Sequence, residues 1–360
     1  MITHPEQLLP TTSWSETTWS KTREEELLDA ASSPRLCVAA LLPFREGQPD
    51  WGSFERMLEW MNRCAQAFGV EITFVLNADT GYVFNLSEEL YEEVITRFRG
   101  LYPEASFISG VTAVGADPEE FRAACYHPHL DIAQAHAPCE VMIMTSQALN
   151  GLDPENRRDA YFEIAERIKV PALVHALEPA FVPWATPFEP WLLHQLASHD
   201  QFVGGKISTL DEPHFLHWAS MTQDLGLNFL PHSGDDFGIA SAIRMGLPLL
   251  IGAGVSACPL ICAAKKYWRK VDFDSRVYKL FEAFQSLEDS VFRLDEKGSA
   301  AGYKHSTAEI LTMLGVIDSA EIHPDCQDLR TGDESARMRE ALLRPMRIAE
   351  RMEIPFYSFA

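Results

Sequence analysis

The chain is short of positive charge, of paired cysteines and of long apolar runs. Its 30 lysines and arginines face 52 aspartates and glutamates, a formal charge of −22. That balance argues against nucleic acid or an anionic membrane as partner, since both are held through basic surface. It leaves an anionic small substrate open, because one pocket can carry the opposite sign. No apolar stretch approaches the roughly 18–20 residues that a membrane-spanning helix needs. The first 30 residues lack a basic start followed by an apolar stretch, so no secretory signal is expected there. Seven cysteines, an odd number, are scattered and lie mostly inside apolar segments. Cys258 and Cys262 have helical spacing, but no second Cys/His pair nearby completes a zinc set. Reduced thiols in a cytoplasmic protein are the expectation.

What the chain does have is material for a core. Hydrophobic residues make up 46% of it and charged ones 23%, enough to bury a large interior. Its 360 residues fit one α/β barrel with extra helices, or two ordinary domains. Short β-rich runs alternate with longer segments of helical period. Strands are expected at 36–42, 71–76, 106–111, 140–145, 172–176, 202–206, 228–232 and 249–252. Helices are expected near 51–69, 87–100, 117–136, 155–169, 188–198, 211–225, 235–246 and 257–269. Ser87, Asp117 and Asp153 read as helix N-caps, each followed by acidic residues that suit the positive end of a helix dipole. Eight strand–helix units without hairpin signals fit a (β/α)8 TIM barrel. A doubly wound open sheet is the rival, but eight repeats favour closure. Beyond residue 270 only helices are expected, at 274–293, 303–314 and 333–350. The organisation is therefore read as a leader over 1–34, a catalytic barrel over 35–270 and a C-terminal helical extension over 271–360.

In such barrels chemistry sits at the C-terminal ends of the strands. Polar and glycine residues gather there: Pro43, Asn77 to Tyr82, Thr145, His175, Lys206, Ser233 to Asp236, and Gly252 to Ser256. Lys206 is the sharpest of them. It ends an apolar run behind Gly204 and Gly205 and is followed closely by Ser208 and Thr209. Burial disfavours an ammonium ion, and an amine freed of its proton attacks a ketone or aldehyde to form a Schiff base. A surface lysine after a strand is the plain alternative, and the clustering at one rim argues against it. His232 with Asp235 and Asp236 could be read as a metal site, but Asp235 is well placed as the cap of the next helix. No metal is expected. His127, His129 and His136 are expected on a solvated face or turn.

Several of these pieces resemble the dihydrodipicolinate synthase and N-acetylneuraminate lyase family of class I aldolases. The resemblance runs from about residue 36 to 315. It is carried by Leu42-Pro43-Phe44, by Asp79-Thr80-Gly81 with Leu86-Ser87-Glu88-Glu89, and by Gly110-Val111. Val203-Gly204-Gly205-Lys206, Ser233-Gly234-Asp235-Asp236 and Gly252-Ala253-Gly254-Val255-Ser256 with Pro259 complete it, in order. The resemblance implies Lys206 as the Schiff-base lysine, needing no metal or organic cofactor. It implies substrate contacts from Thr80, Gly81, Pro43, Ser208 and Gly252, a pyruvate-like keto substrate, and a homo-oligomer, dimer or tetramer. A dehydratase on the same iminium, or a non-catalytic binding member, are the alternatives to an aldolase.

Three departures bear on substrate. Family members usually place a tyrosine on the fifth strand, and alignment from Pro171 puts His175 there. It reads either as the general acid/base or as a core histidine bonded to a carbonyl. Two adjacent threonines are usual where this chain has Asp79-Thr80. Thr80 keeps a carboxylate-holding role. Asp79 reads either as a base or sugar-hydroxyl acceptor, or as a turn cap pointing away, and Tyr82 could supply the missing phenol. The arginine that some synthases use after the fifth strand is replaced by Leu177-Glu178-Pro179-Ala180-Phe181-Val182-Pro183-Trp184. That acidic, aromatic loop counts against the lysine-biosynthesis reaction and fits a more apolar aldehyde or a stacked sugar, or else rim packing.

Overall fold

The computed structural model describes residues 35–224, 229–234, 239–267, 275–330 and 332–360; the expected leader and the 270 boundary lie outside them. Eight parallel strands close into a barrel. They are β1 (Leu36–Ala39), β2 (Thr73–Leu76), β3 (Phe107–Val111), β4 (Cys139–Ile143), β5 (Ala172–Leu177), β6 (Phe202–Ser208), β7 (Leu230–Ser233) and β8 (Leu249–Ile251). Each pairs with its sequence neighbour, and β1 pairs with both β2 and β8 to complete the ring. The strands are apolar on both faces because one face fills the interior and the other meets helices. Below the barrel, Arg35 clamps Glu140 through two hydrogen bonds of 2.8 and 2.5 Å.

Among the described residues the main helices around the barrel are α1 (Trp51–Phe68), α2 (Glu88–Leu101), α3 (His127–Ala135), α4 (Pro154–Ala165), α5 (Pro190–Ala197), α6 (Glu212–Asp224), α7 (Ile239–Arg244) and α8 (Cys258–Tyr267), with a single helical turn at Gln147–Asn150 before α4. Ser87 and Asp153 cap α2 and α4 by accepting from the Leu90 and Asn156 amides at 3.2 and 2.9 Å. Asp117 does not start a helix: its carboxylate only caps a turn at Glu119, and α3 begins after a 3-10 turn at Ala123–Tyr126. The cap signal was right in chemistry, but here it serves a turn and not a helix. The first strand is also shorter than its apolar run. Leu42-Pro43 turns the chain into a short hairpin, Phe44–Arg45 with Gln48–Pro49, closed by the Asp50 amide on the Pro43 carbonyl at 2.8 Å. His129 is likewise not solvated. It is buried and stacked on Tyr91 with ring centroids 3.8 Å apart.

The lysine strand β6 is irregular where it meets β5. Ala172 pairs with Phe202 but Leu173 pairs with Gly204, so Val203 has no opposite residue. Beyond this bulge His175 lies level with Lys206, and Leu177 with Ser208.

Among the described residues three α-helices follow the barrel: α9 (Ser275–Val291), α10 (Tyr303–Met313) and α11 (Glu334–Arg351). A buried network ties them together. Arg330 donates to the carbonyls of Val291 and Arg293 at 2.8 and 2.9 Å and pairs with Glu334 at 3.1 Å, and it also bonds Ser306. The segment reaches back onto the barrel mouth: the Ala300 amide donates to Ala180 at 2.6 Å, and Tyr303 stacks on Phe292 with centroids 5.0 Å apart.

Candidate active site

Residues of the expected site fall into two groups at the C-terminal end of the barrel. The first stands on β5 and β6. Lys206 is 4% exposed, and His175 and Ser208 are buried beside it. Parity along β6 aims Gly204, Lys206 and Ser208 inward, because a side chain at Gly205 would strike Phe229 and Trp218 in the outer layer. A side chain at Gly204 would meet the inward-facing His232 instead. Gly234, just past β7, borders the lysine most closely. A methyl group there would lie 2.1 Å from Lys206 Cε and 2.7 Å from the Ile207 carbonyl, so only glycine leaves the lysine stem its room.

His175 places Nε2 2.8 Å from Ser208 Oγ and Nδ1 3.3 Å from Met144 Sδ. Burial, and then the charge of Lys206, holds this imidazole well below the usual histidine range. It is therefore neutral at physiological pH, and its partner is a hydroxyl, not the carbonyl of the core-histidine alternative. His232 on β7 is neutral for the same first reason, its pKa lowered to about 4, with Nδ1 donating to the Leu230 carbonyl at 2.9 Å. Asp235 and Asp236 lie outside the described residues.

The second group stands on the opposite arc, after β2 and β8. Thr80 Oγ1 donates to the Gly252 carbonyl at 2.9 Å. The turn that carries it is held in unusual backbone: Asn77 and Tyr82, on either side, have φ of +49° and +61°. Non-glycine residues in that region cost about 1–3 kcal/mol each, and such strain gathers at functional sites. Gly81 closes the turn with its amide on the Ala78 carbonyl at 3.0 Å. Gly110 makes room for the turn, since a methyl group there would stand 2.2 Å from the Asn77 carbonyl oxygen.

Two residues of α10, absent from the sequence reading, complete this group. Tyr303 donates its hydroxyl to Asp79 Oδ2 at 2.9 Å and lies 3.1 Å from Thr80 Oγ1. Lys304 Nζ bonds Asp79 Oδ1 at 2.8 Å, with both side chains close to 10% exposed (9% and 12%). Both Asp79 oxygens are thus engaged, and the aspartate neither points away as a cap nor stands as an unneutralised anion. Two hydroxyl protons, from Thr80 and Tyr303, serve three contacts. Tyr82 is not the phenol at Thr80. It packs edge-on against Phe44, with centroids 5.6 Å apart, and against His323. Nothing local marked Tyr303, which lies far along the chain in an otherwise ordinary amphipathic helix.

The loop after β5 is acidic and aromatic as read, but its charge is engaged. Glu178 pairs with His214 at 2.6 Å. Trp184 meets Phe84 edge to face, centroids 6.2 Å apart and rings at 89°. These two border a hollow of about 160 Å³ on the rim above β2 to β5, with Thr112, Asp117, Ser146 and Gln147.

No family model and no curated protein matches this sequence. Solved structures do. The dihydrodipicolinate synthase of Bacteroides thetaiotaomicron superposes with a TM-score of 0.70 at 15% identity, over 86% of this chain and 97% of that one. The enzyme of Thermotoga maritima gives 0.68 at 16%, over 87% and 99%. The chloride-inhibited enzyme of Acinetobacter baumannii, solved in complex with pyruvate, gives 0.67 at 19%, over 87% and 98%. At these identities the likeness is one of fold: this chain has the barrel fold of the dihydrodipicolinate synthases.

Proposed function

We propose that this chain belongs with the dihydrodipicolinate synthases and N-acetylneuraminate lyases and is a Schiff-base-forming lyase or aldolase for a pyruvate-like 2-oxo acid. The observation that carries the reading is the seat of Lys206. It is an inward-facing amine at the catalytic end of a closed barrel, 4% exposed, with its stem bare against Gly234. The bound pyruvate of the Acinetobacter baumannii structure supports the substrate class.

In this reading the Lys206 amine adds to the keto carbon, and the carbonyl oxygen departs as water. The iminium draws electrons, so a proton lost from the adjacent carbon leaves an enamine that can join an aldehyde; run backwards, the same bond breaks. Thr80 holds the substrate carboxylate. The Lys304 charge beside Asp79 keeps that arc from repelling an anion. Tyr303 is the phenol that carries protons, oriented by Asp79, and the neutral His175–Ser208 pair offers a hydroxyl next to the lysine. Pro43, Gly81 and Gly252 shape the walls. The residues named form and use the iminium without help from a further group.

Reduction with borohydride in the presence of pyruvate, followed by peptide mass mapping, tests this. A single adduct on Lys206 that disappears in Lys206→Ala is expected. An adduct on another lysine, or none with any of a panel of 2-oxo acids, would sink the proposal.

A further inference from the structure

We infer that Met144 is a positioning residue that fixes the tautomer of His175, and that Ser208 thereby shuttles the protons of Lys206 while the iminium forms. The inference rests on the Schiff-base reading above and deepens it at the lysine itself. Its basis is the direction of two hydrogen bonds. The thioether sulfur of Met144 has lone pairs and no proton, so at 3.3 Å from Nδ1 it accepts. The ring proton therefore sits on Nδ1. Burial and the charge of Lys206 keep the ring neutral, so Nε2 is left bare. At 2.8 Å from Ser208 Oγ, that bare nitrogen accepts from the serine hydroxyl. The other tautomer would set the Nδ1 lone pair against those of the sulfur. No bulk water relieves such a clash, since Met144 and His175 are 0% and 1% exposed. His232 keeps its proton on Nδ1 in the same manner, with a carbonyl in place of sulfur.

The three side chains thus form a row with one sense, from Ser208 through His175 to Met144. Its open end is the Ser208 oxygen, whose proton is committed and whose remaining lone pair accepts. That end belongs to the lysine. Ser208 is two residues beyond Lys206 on the same inward face, about 6.6 Å along the strand, and a four-carbon stem spans such a distance. His175 is level with Lys206 on the neighbouring strand. All three are buried, which leaves the transfer of protons to side chains. Sulfur is a weak acceptor, so it orients the ring without making the imidazole a strong base. A proton lent to His175 is returned.

The proton count balances. The Lys206 ammonium passes a proton to Ser208 Oγ as Ser208 passes its own to His175 Nε2. The freed amine gives its electron pair to the keto carbon, and the carbonyl π pair moves to oxygen. The nitrogen then yields a second proton to that oxygen. The imidazolium returns the first proton through Ser208 to the new hydroxyl, which leaves as water while the nitrogen pair closes the C=N bond. Ammonium and ketone have become iminium and water, and the row is as it began.

Rapid-quench trapping with pyruvate and borohydride reads how fast the Lys206 adduct appears and where it levels off. Ser208→Ala is expected to slow its appearance by about 10²-fold, the scale of a lost proton-transfer group, with the plateau unchanged. Ser208→Thr, which keeps a hydroxyl, should recover most of the rate. Met144→Leu keeps the volume and removes the acceptor, so it should slow the adduct by about tenfold. Nitrogen–proton correlation NMR of histidine-labelled protein, assigned with His175→Gln, should show a neutral ring protonated at Nδ1, and a mixture of tautomers in Met144→Leu. A proton on Nε2 in the wild type overturns the inference. So does a Ser208→Ala adduct that forms at the wild-type rate, or a Met144→Leu protein with both tautomer and rate unchanged. A plateau that falls in Ser208→Ala and is not recovered by threonine marks a structural residue and overturns it too. Should the wild type form no Lys206 adduct, the Schiff-base reading fails and takes the shuttle with it; an adduct beside the opposite tautomer sinks the shuttle alone.

Discussion

Single atoms decide much at this mouth. Tyr303 contributes one oxygen that touches both Asp79 and Thr80. Tyr303→Phe removes it and keeps the ring on Phe292. Adduct formation with pyruvate is expected to persist while turnover falls by about 10²-fold or more, the scale of a lost acid/base group. Exchange of the pyruvate methyl protons for deuterium should fall in step; unchanged exchange would take Tyr303 out of the proton path. The buried histidines make a second prediction. His129 and His232 have pKa values lowered to about 4, and His175 lies well below the usual range, each chiefly through burial. In the unfolded chain they titrate near 6.5, so between these values the unfolded state binds more protons. Stability is therefore full above about pH 7 and is lost as the pH falls from roughly 6.5 toward 4. Urea midpoints at pH 7.5 and 4.5 measure this. His129→Phe, which keeps a ring on Tyr91, should narrow the gap. The residues legible in sequence were those whose chemistry is local: a lysine behind two glycines, a threonine in a turn. Tyr303 was not, because its meaning comes only from a partner 223 residues away.

Elements carry the next level of argument. Helix α10 is joined to the turn after β2 by the Lys304–Asp79 pair, little exposed on either side. Lys304→Met would strand a buried carboxylate, and about 3–5 kcal/mol of stability should go with it. Pairing it with Asp79→Asn should restore much of that loss, because the uncompensated charge is then gone. Denaturant curves on the two variants check this, and equal stability of the single and double variants would deny the pair its structural weight. The same scale shows where the sequence was ambiguous. Ser87 and Asp153 cap helices, whereas Asp117, likewise followed by acidic residues, caps only a turn, so the cap signal alone does not mark a helix. The bulge at Val203 left no trace in composition, yet it is what brings His175 level with Lys206. Periodicity reveals that a strand exists; the slip between two strands is written only in their pairing.

At the scale of the molecule, closure of the barrel was readable because eight strand–helix units leave no strand to spare for an edge. Its charge was readable too. A formal −22 spread over one compact body repels itself, and added salt screens that repulsion. The urea midpoint at pH 7 is expected to rise between 20 and 500 mM sodium chloride, ~20 to ~4 Å being the matching range of screening lengths. A midpoint that falls would mean that attractive pairs such as Arg35–Glu140 outweigh the bulk charge. What composition could not reveal is that the helices after the barrel bend back to finish its mouth. A ribosome delivers Lys206 long before Tyr303 and Lys304, so a nascent barrel holds its buried lysine before the residues that close the turn after β2 exist. On the proposed reading, a product cut short before α10 would hold the barrel and its lysine without Tyr303 and Lys304, and no turnover is expected of it.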